Sequence, residues 1–278
     1  MSAATVREAL GSASDALAAA GVDSPRLDAE LLLAEATGRD RSALAADPDA
    51  PVGGAESRAF GAMVRRRVSR EPVAYILGRR GFRHLELRAD PRGLIPRPET
   101  ELLVEVALEL APSSVLDVGT GSGAIALAIA DELQAEVVAV DTSPAALALA
   151  RENAEALGLA GRVAFELGSL PAPRAFDLVV ANLPYVRDGD WHSLEPELTK
   201  FEPREALLGG ADGLDPIRGL LSALAPSGVG ALTAAAVALE IGEGQSGDVA
   251  LLVEGAGFPR VETRPDLAGI ERVVIGRR

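Results

Sequence analysis

Apolar residues in roughly the first 70 positions recur at helical spacing, without the alternation typical of strands. The segment Thr5–Glu8 has the Thr-x-x-Glu form of a capping box, and Ser24-Pro25 combines a helix N-cap with proline at the first helical position. Gly38 follows the apolar run of this second helix and marks its end. Together with a further helix over residues 55–70, the pattern predicts a small all-helical N-terminal domain at residues 1–72.

The pattern changes after this domain, where apolar and polar residues alternate around Gly78 and Gly81. This alternation predicts a β-hairpin linker over residues 73–92. Short apolar runs then alternate with helical segments through residues 93–278, which is typical of an α/β fold. We expect a Rossmann-like sheet of seven mostly parallel strands with helices on both faces. The predicted strands cover residues 115–118, 137–140, 163–167, 178–181, 237–241, 260–263 and 272–275.

The composition is that of a globular protein, with 48% hydrophobic and 24% charged residues in 278. Cysteine is absent, which excludes disulfides and thiolate metal sites. The two histidines, His84 and His192, each stand alone, so no metal site is expected. No apolar run reaches the length of a bilayer span, and we expect a cytoplasmic protein that does not associate with membranes.

The formal net charge of −14 argues against a protein that binds nucleic acid directly by neutralising phosphates. It is compatible with a neutral or basic partner. The one dense basic run is Arg65–Arg67 with Arg70, which we interpret as a solvated helix face.

A glycine-rich loop follows the first predicted strand of the sheet, in the stretch "VLDVGTGSGAIALAIA". Gly119, Gly121 and Gly123 allow a sharp turn and close approach of a ligand, and the helix that follows offers unpaired N–H groups. Asp141 ends the next strand, where a carboxylate can accept hydrogen bonds from both hydroxyls of a ribose. These features predict a nucleoside-containing cofactor at the carboxyl ends of the strands.

The glycines alone do not choose between cofactors, because Gly119–Ala124 also satisfies the loose dinucleotide pattern. A tight strand–helix turn that binds nothing is the structural alternative. Asp117, just before the loop, favours S-adenosyl-L-methionine over a dinucleotide. A carboxylate at that position suits the cationic amino group of S-adenosyl-L-methionine and would repel a pyrophosphate.

A second motif ends the strand in "FDLVVANLPYV". An amide or aromatic amine nitrogen becomes a nucleophile only when its lone pair is freed, and two acceptors on its N–H bonds could hold it in that geometry. The Asn182 side-chain oxygen and the Leu183 carbonyl are the candidate acceptors. Pro184 stiffens the turn and Tyr185 offers a ring for stacking. Alone, the tetrapeptide is compatible with an ordinary strand-ending turn.

With these motifs the chain resembles the release-factor glutamine N5-methyltransferases over nearly its full length. The matching segments, in chain order, are "LIPRPETELLVE", "LDVGTGSGAIALAIA", "DTSPAALALARENAEALG", "FDLVVANLPYV", "EPREALLGGADGLDPIRGLL" and "LEIGEGQ". The resemblance implies a five-helix-like N-terminal domain that recognises substrate, a hairpin linker and a class I methyltransferase domain. It implies methyl transfer from S-adenosyl-L-methionine to the glutamine of the Gly-Gly-Gln loop in peptide chain release factors, by a monomeric enzyme.

The resemblance also implies residue roles. Asn182 and Tyr185 fall on the catalytic positions, and Asn182–Tyr185 on the substrate-binding motif. Gly119, Thr120, Gly121, Ser122, Gly123 and Asp141 fall on cofactor-binding positions, and Ser169 and Leu170 on the adenine-contact positions. Asn182 is expected to bind the cofactor as well as the substrate. The segment Arg97–Thr100 matches a family segment near the active site, without individual roles.

Three stretches depart from the family pattern. The usual Asn-Pro-Pro-Tyr is Asn-Leu-Pro-Tyr here, a form found in adenine N6-dimethyltransferases acting on ribosomal RNA. The stretch "ELGSL" lacks the usual acidic residue after the third strand, and residues 225–238 are unusually rich in alanine. Two alternatives therefore stay open at this point: an adenine N6-methyltransferase on RNA or DNA, and a cofactor-binding module that recognises release factors without modifying them.

Overall fold

The computed structural model describes residues 4–225 and 232–278. Its first elements are helices, and α1 begins with the predicted capping box. The Thr5 hydroxyl accepts a hydrogen bond from the Glu8 backbone N–H at 3.2 Å, and the Glu8 carboxylate accepts one from the Thr5 N–H at 2.9 Å. A left-handed Gly38 ends α2, as predicted. The five helices are α1 (Val6–Ala19), α2 (Pro25–Thr37), α3 (Arg41–Ala46), α4 (Gly54–Val68) and α5 (Val73–Leu77).

The next elements form a hairpin and then a succession of strands and helices. The hairpin is shorter than the range 73–92 that the sequence predicted, because α5 occupies the start of that range. In chain order the elements are β1 (Arg79–Phe82), β2 (Leu85–Arg88), α6 (Glu101–Leu110), β3 (Ser114–Val118), α7 (Ala124–Glu132), β4 (Glu136–Asp141), α8 (Pro144–Ala156), β5 (Val163–Leu167), β6 (Ala175–Ala181), α9 (Pro196–Phe201), α10 (Asp215–Leu224), β7 (Thr233–Glu240), α11 (Ser246–Gly255), β8 (Arg260–Pro265) and β9 (Glu271–Arg277).

The strands β3 to β9 form one sheet in the order β5-β4-β3-β6-β7-β9-β8. The pairs among β5, β4, β3, β6 and β7 are parallel, whereas β9 runs antiparallel to both of its neighbours. The predicted α/β class and the seven-stranded, mostly parallel sheet are confirmed. The place of β7, which the sequence left open, is between β6 and β9; residues 226–231 of the alanine-rich stretch before it lie outside the described residues.

Both faces of the sheet are covered, which explains why its central strands are nearly continuous apolar runs. On one face, α6 and α7 pack over a core that includes Val115, Leu178 and Ala238. On the other face, α10 and α11 pack over a core that includes Leu116 and Val179. Successive residues of a strand therefore enter different cores. Because the central strands are parallel, their carboxyl ends lie at one edge of the sheet.

The chain forms two compact units. The first contains the described residues up to Arg79 together with Glu195–Phe201, so a short downstream segment with α9 belongs to the helical unit. The second contains Arg80–Leu194 and the described part of Glu202–Arg278. Among the described residues, no helix has both the length and the apolar character that a membrane span requires.

The downstream segment corrects the interpretation of the basic run in α4. Arg67 is only 7% exposed, and its guanidinium binds Asp28 and Glu197, each at 2.7 Å. Arg70 binds the other oxygen of Glu197 at 2.6 Å. The prediction of a solvated helix face was wrong for these two arginines, because their acidic partners come from another helix and from a segment far along the chain.

Candidate active site

A cavity of about 530 Å³ lies where the segments that follow four parallel strands meet. In this sheet β3 and β6 are neighbours, and the chain leaves them toward opposite sides, which opens a crevice at their carboxyl ends. The cavity is lined by the glycine loop after β3, the turn after β4, residues 168–170 after β5 and residues 182–184 after β6. The sequence-predicted cofactor and substrate motifs therefore meet at one place.

The glycine loop turns on three residues with positive φ, Gly119, Gly121 and Gly123. Gly119 and Gly121 line the cavity, and a Cβ at Gly119 would lie 3.1 Å from the Leu183 side chain. Gly123 is not on the cavity wall. A Cβ there would lie 3.1 Å from the Cβ of Ala150, so this glycine lets α7 pack closely against α8. The loop residues Thr120 and Ser122 also line the cavity.

Asp117 lies behind the loop and not on the cavity wall. Its Oδ2 accepts hydrogen bonds from the Thr120 hydroxyl at 2.6 Å and from the Ala126 N–H at 3.2 Å. Its Oδ1 has no hydrogen-bond partner among the described residues. Burial raises the pKa of Asp117 to about 7, against the lowering effect of the two hydrogen bonds. The observed role is to hold the loop, and direct contact with the cofactor amino group stays a prediction.

Asp141 lies at the end of β4 and lines the cavity. Its Oδ2 accepts a hydrogen bond from the Gly121 N–H at 2.9 Å, and its Oδ1 accepts one from the Ser143 N–H at 2.8 Å. Each carboxylate oxygen has a second lone pair, so the group can still accept two further hydrogen bonds. A pair of neighbouring hydroxyls is a suitable donor for such a group.

The segment after β5 reaches the same cavity. Gly168 donates its N–H to the Asp141 carbonyl at 2.9 Å, which turns the chain so that Ser169 and Leu170 line the wall. These two residues were predicted to contact adenine. They line the same part of the cavity as Asp141, and both a ribose at Asp141 and the adenine contact stay predictions.

Asn182 follows β6 and lines the cavity opposite the glycine loop. Its Nδ2 donates a hydrogen bond to the Thr100 hydroxyl at 3.1 Å. The Leu183 side chain is buried in the core beneath α10 and covers Gly119, while Pro184 lines the cavity. The leucine in place of the usual proline is therefore accommodated by apolar packing.

Tyr185 does not line the cavity. Its ring packs against Gly242, where an added Cβ would lie 3.1 Å from Cδ2, and its carbonyl accepts a hydrogen bond from the Gln245 side chain at 3.1 Å. Burial raises the pKa of Tyr185 to about 12, and the negative charge of Glu240 adds to the effect. Stacking of this ring on a substrate stays a prediction.

The substrate motif is held by a close backbone approach at Gly209. The Gly209 N–H donates to the Val186 carbonyl at 2.8 Å, and a Cβ at Gly209 would lie 2.5 Å from the Pro184 carbonyl oxygen. Gly209→Ala should therefore force the backbone around Pro184 to shift. We expect a cost of about 3 kcal/mol, a decrease in Tm of roughly 5–10 °C and loss of most of the activity.

Thermal unfolding and turnover of the Gly209→Ala variant check this expectation. Gly189→Ala is the matched control, because a Cβ at Gly189 meets nothing within 4 Å. A Gly209→Ala protein as stable and active as the control would contradict the close approach.

Several residues around the site had been given no role by the sequence. The Arg97 guanidinium lines the cavity and binds the buried Glu202, which also accepts a hydrogen bond from the Ile95 N–H at 3.1 Å. Glu240 is buried behind Asn182. A carboxylate directly after an apolar strand, the pattern that identified Asp141, is the signal by which Glu240 could have been found.

Comparison with known proteins places the chain in a family. A model of the PrmC N-terminal domain matches residues 8–78, and a methyltransferase domain model matches residues 111–251. The release factor glutamine methyltransferase of Rhodospirillum rubrum is 44% identical over 272 residues, covering 94% of this chain and 82% of the relative. That of Geobacter sulfurreducens is 43% identical over 283 residues, covering 98% and 96%. The chain belongs to the release factor glutamine methyltransferase family.

Solved structures that resemble this family member show the same fold at low identity. The catalytic domain of hMettl16, in complex with a MAT2A 3'UTR hairpin, has a TM-score of 0.57 at 13% identity and covers 77% of this chain and 81% of its own. A methyltransferase from Pyrococcus furiosus has a TM-score of 0.50 at 16% identity and covers 69% and 88%. At these identities the likeness describes the fold alone.

The cofactor of this release factor glutamine methyltransferase family member is S-adenosyl-L-methionine. The residues present fit that group. Gly119 and Gly121 present backbone without side chains at the cavity wall, and Asp141 offers unused acceptors for ribose hydroxyls. The wall also contains Ser169 and Leu170, which combine a hydroxyl with an apolar surface suited to a nucleobase.

Proposed function

We propose that the protein methylates the side-chain amide nitrogen, N5, of the glutamine in the Gly-Gly-Gln loop of peptide chain release factors. The observation that carries this proposal is the position of Asn182, whose side chain lines the same cavity as the glycine loop and Asp141. Two relatives named release factor glutamine methyltransferases, which match almost the whole chain, support the choice of substrate.

The proposed chemistry is mainly one of positioning. An amide nitrogen is a weak nucleophile because its lone pair is delocalised into the carbonyl group. Hydrogen bonds from its two N–H bonds to the Asn182 side-chain oxygen and the Leu183 carbonyl would orient the nitrogen toward the methyl group. Bound S-adenosyl-L-methionine supplies an electrophilic methyl group on sulfonium sulfur. Transfer of that methyl group would form an N–C bond as the S–C bond breaks, and N5 would release one proton to solvent to leave a neutral secondary amide.

The remaining parts of the motif have supporting roles in this proposal. Pro184 restricts the turn on the cavity wall, and Tyr185 supports the motif from its buried side. We also keep the assignment of residues 1–72 as a substrate-recognition domain, 73–92 as a linker and 93–278 as the methyltransferase domain. To this proposal we add Glu195–Phe201, which belongs to the helical unit.

We further propose that the enzyme acts as a monomer in the cytoplasm, where release factors work. Its net charge of −14 suits a basic protein surface better than a phosphate backbone, so direct nucleic acid binding is not part of the proposal. The alternative of adenine methylation has the Asn-Leu-Pro-Tyr sequence in its favour. The alternative of a non-catalytic module has against it an Asn182 that faces the cofactor cavity.

One assay separates these functions. The purified protein, with S-adenosyl-L-methionine carrying a labelled methyl group, is offered a release factor, single-stranded RNA or duplex DNA. We expect label in the release factor alone, because a net charge of −14 disfavours binding of a phosphate backbone. A release factor with alanine in place of the loop glutamine is the substrate control, and it should take up no label.

The other outcomes are equally clear. Label in RNA or DNA without label in the release factor would favour the alternative of an adenine N6-methyltransferase. Cofactor binding without transfer to any acceptor would establish a non-catalytic module.

A further inference from the structure

Glu240 is a buried carboxylate directly behind the catalytic amide. It ends β7, is 2% exposed, and does not line the cavity among the described residues. The side chains of Thr100 and Asn182 lie close enough to its carboxylate to favour the ionised form, while its Oε2 has no hydrogen-bond partner among the described residues. No ion pair of Glu240 is found in residues 4–225 and 232–278. A buried carboxylate without a bound cation is costly to the fold, which points to a role in the site.

The hydrogen bonds around Glu240 have a defined direction. An ionised carboxylate can only accept, so the groups that face it must donate. The Thr100 oxygen already accepts from Asn182 Nδ2 at 3.1 Å, and its own hydrogen is therefore free to point at Glu240. The result is a chain in which the Asn182 N–H₂ group donates toward Thr100 and Glu240.

This direction matters because the two ends of an asparagine amide have similar shapes and opposite hydrogen-bonding character. If the N–H₂ group faces Thr100 and Glu240, the Oδ1 atom faces the cavity. If the Asn182 amide were flipped by 180°, its N–H₂ group would face the substrate nitrogen. That nitrogen carries N–H bonds of its own and needs a hydrogen-bond acceptor. The inference rests on the proposed function: the orientation of the Asn182 amide then decides whether the substrate amide is bound.

We propose that Glu240 is a positioning residue that, through Thr100, fixes the Asn182 amide with its oxygen toward the substrate. Glu240 does not touch the substrate and takes no proton from it.

The ionisation of Glu240 makes the proposal measurable. Burial raises its pKa to about 7; Glu99 raises it further, while Thr100, Arg272 and Asn182 lower it. The other neighbour is Tyr185, which stays neutral in this range. Below about pH 7 a protonated Glu240 can donate as well as accept, so the orientation of the amide is no longer imposed.

Selective ¹⁵N labelling of asparagine reads out the orientation directly, because the sequence contains two asparagines, Asn153 and Asn182. The Asn153 amide donates to the Ser122 carbonyl at 2.9 Å and serves as an internal reference. In the parent protein the Asn182 side-chain signals should shift with a midpoint near pH 7, while those of Asn153 stay in place. The shift should be absent in Glu240→Gln, which also distinguishes Glu240 from Asp117, whose pKa lies in the same range.

Kinetics with the release factor give the second readout. Glu240→Gln keeps the shape but presents both a donor and an acceptor, so kcat should fall about tenfold. The KM for the release factor and the cofactor affinity should change less than about twofold. The decrease in kcat of the parent below about pH 7 should be absent in this variant.

Further variants test the path through Thr100. Thr100→Val should lower kcat as Glu240→Gln does, and Thr100→Ser should retain activity because it keeps the hydroxyl. The kcat of the double variant Glu240→Gln/Thr100→Val should be no lower than that of either single variant, because both substitutions interrupt the same series of hydrogen bonds. Glu243→Gln removes an exposed carboxylate near the same strand end and should behave as the parent.

The outcomes distinguish this inference from the proposed function. Asn182 signals that do not titrate, or that titrate equally in Glu240→Gln, would overturn the positioning role whatever the turnover. Additive losses in the double variant would overturn it as well. A parent protein whose Asn182 signals titrate as expected but that leaves the release factor unmethylated would support the positioning role and overturn the substrate assignment.

Discussion

Asn182→Ala is expected to lower kcat for release-factor methylation by about 10²–10³, the effect that follows loss of one preorganised hydrogen-bonding group in other enzymes. The Asn182 oxygen is the side-chain acceptor proposed for the substrate amide, and alanine leaves that N–H bond without a partner in the cavity. The fold should persist, because Asn182 lies after the end of β6 and is only partly buried.

The control for Asn182→Ala is cofactor affinity, measured by calorimetry, together with thermal unfolding. Both should stay close to the parent values, since the contacts of the glycine loop and Asp141 are untouched. Near-parent turnover in this variant would refute the proposed mechanism and would leave the substrate amide to be held by other groups.

Asp141→Ala is expected to weaken cofactor binding about 100-fold, or ~2.7 kcal/mol, with a smaller effect on kcat at saturating cofactor. Loss of the two hydrogen bonds proposed from ribose hydroxyls to this carboxylate should account for most of the effect. The variant also removes the acceptor for the Gly121 and Ser143 N–H groups, so the glycine loop loses an anchor as well. Both effects act on binding before the chemical step.

Calorimetric titration of the cofactor measures the effect, and Glu136→Ala is a matched control. Glu136 begins the strand that Asp141 ends, and its exposed carboxylate interacts only with Arg174 among the described residues. The Glu136→Ala variant should bind the cofactor as the parent does. An Asp141→Ala variant with parent affinity would place the ribose elsewhere in the cavity.

The elements that the sequence predicted well are those set by local patterns. All seven strands occur where short apolar runs predicted them. The capping box at Thr5 begins α1 and the left-handed Gly38 ends α2, as expected. The positions of Asp141 and Asn182 in the cavity were also predictable, because the carboxyl ends of parallel strands meet at one edge of a sheet.

Other features depended on which face of a strand a residue occupies. Asp117 alternates with Leu116 and Val118, whose side chains enter the α10–α11 core, so it points to the α7 side beneath the loop. The Tyr185 ring packs against Gly242, while Gly209 and Gly213 closely approach the backbone carbonyls of the same motif. The sequence of the two motifs alone does not show in which direction the Asp117 and Tyr185 side chains point.

The sequence by itself therefore determined the fold class, the two loops proposed to bind ligands and the identity of the residues at the strand ends. Only the tertiary structure decided which distant residues meet. It joined Glu195–Phe201 to the helical unit, paired Arg67 with Glu197, and brought Glu240 to Thr100 and Asn182. The physical reason is that local propensity acts over a few residues, whereas strand order and long-range packing set the neighbours of a buried charge.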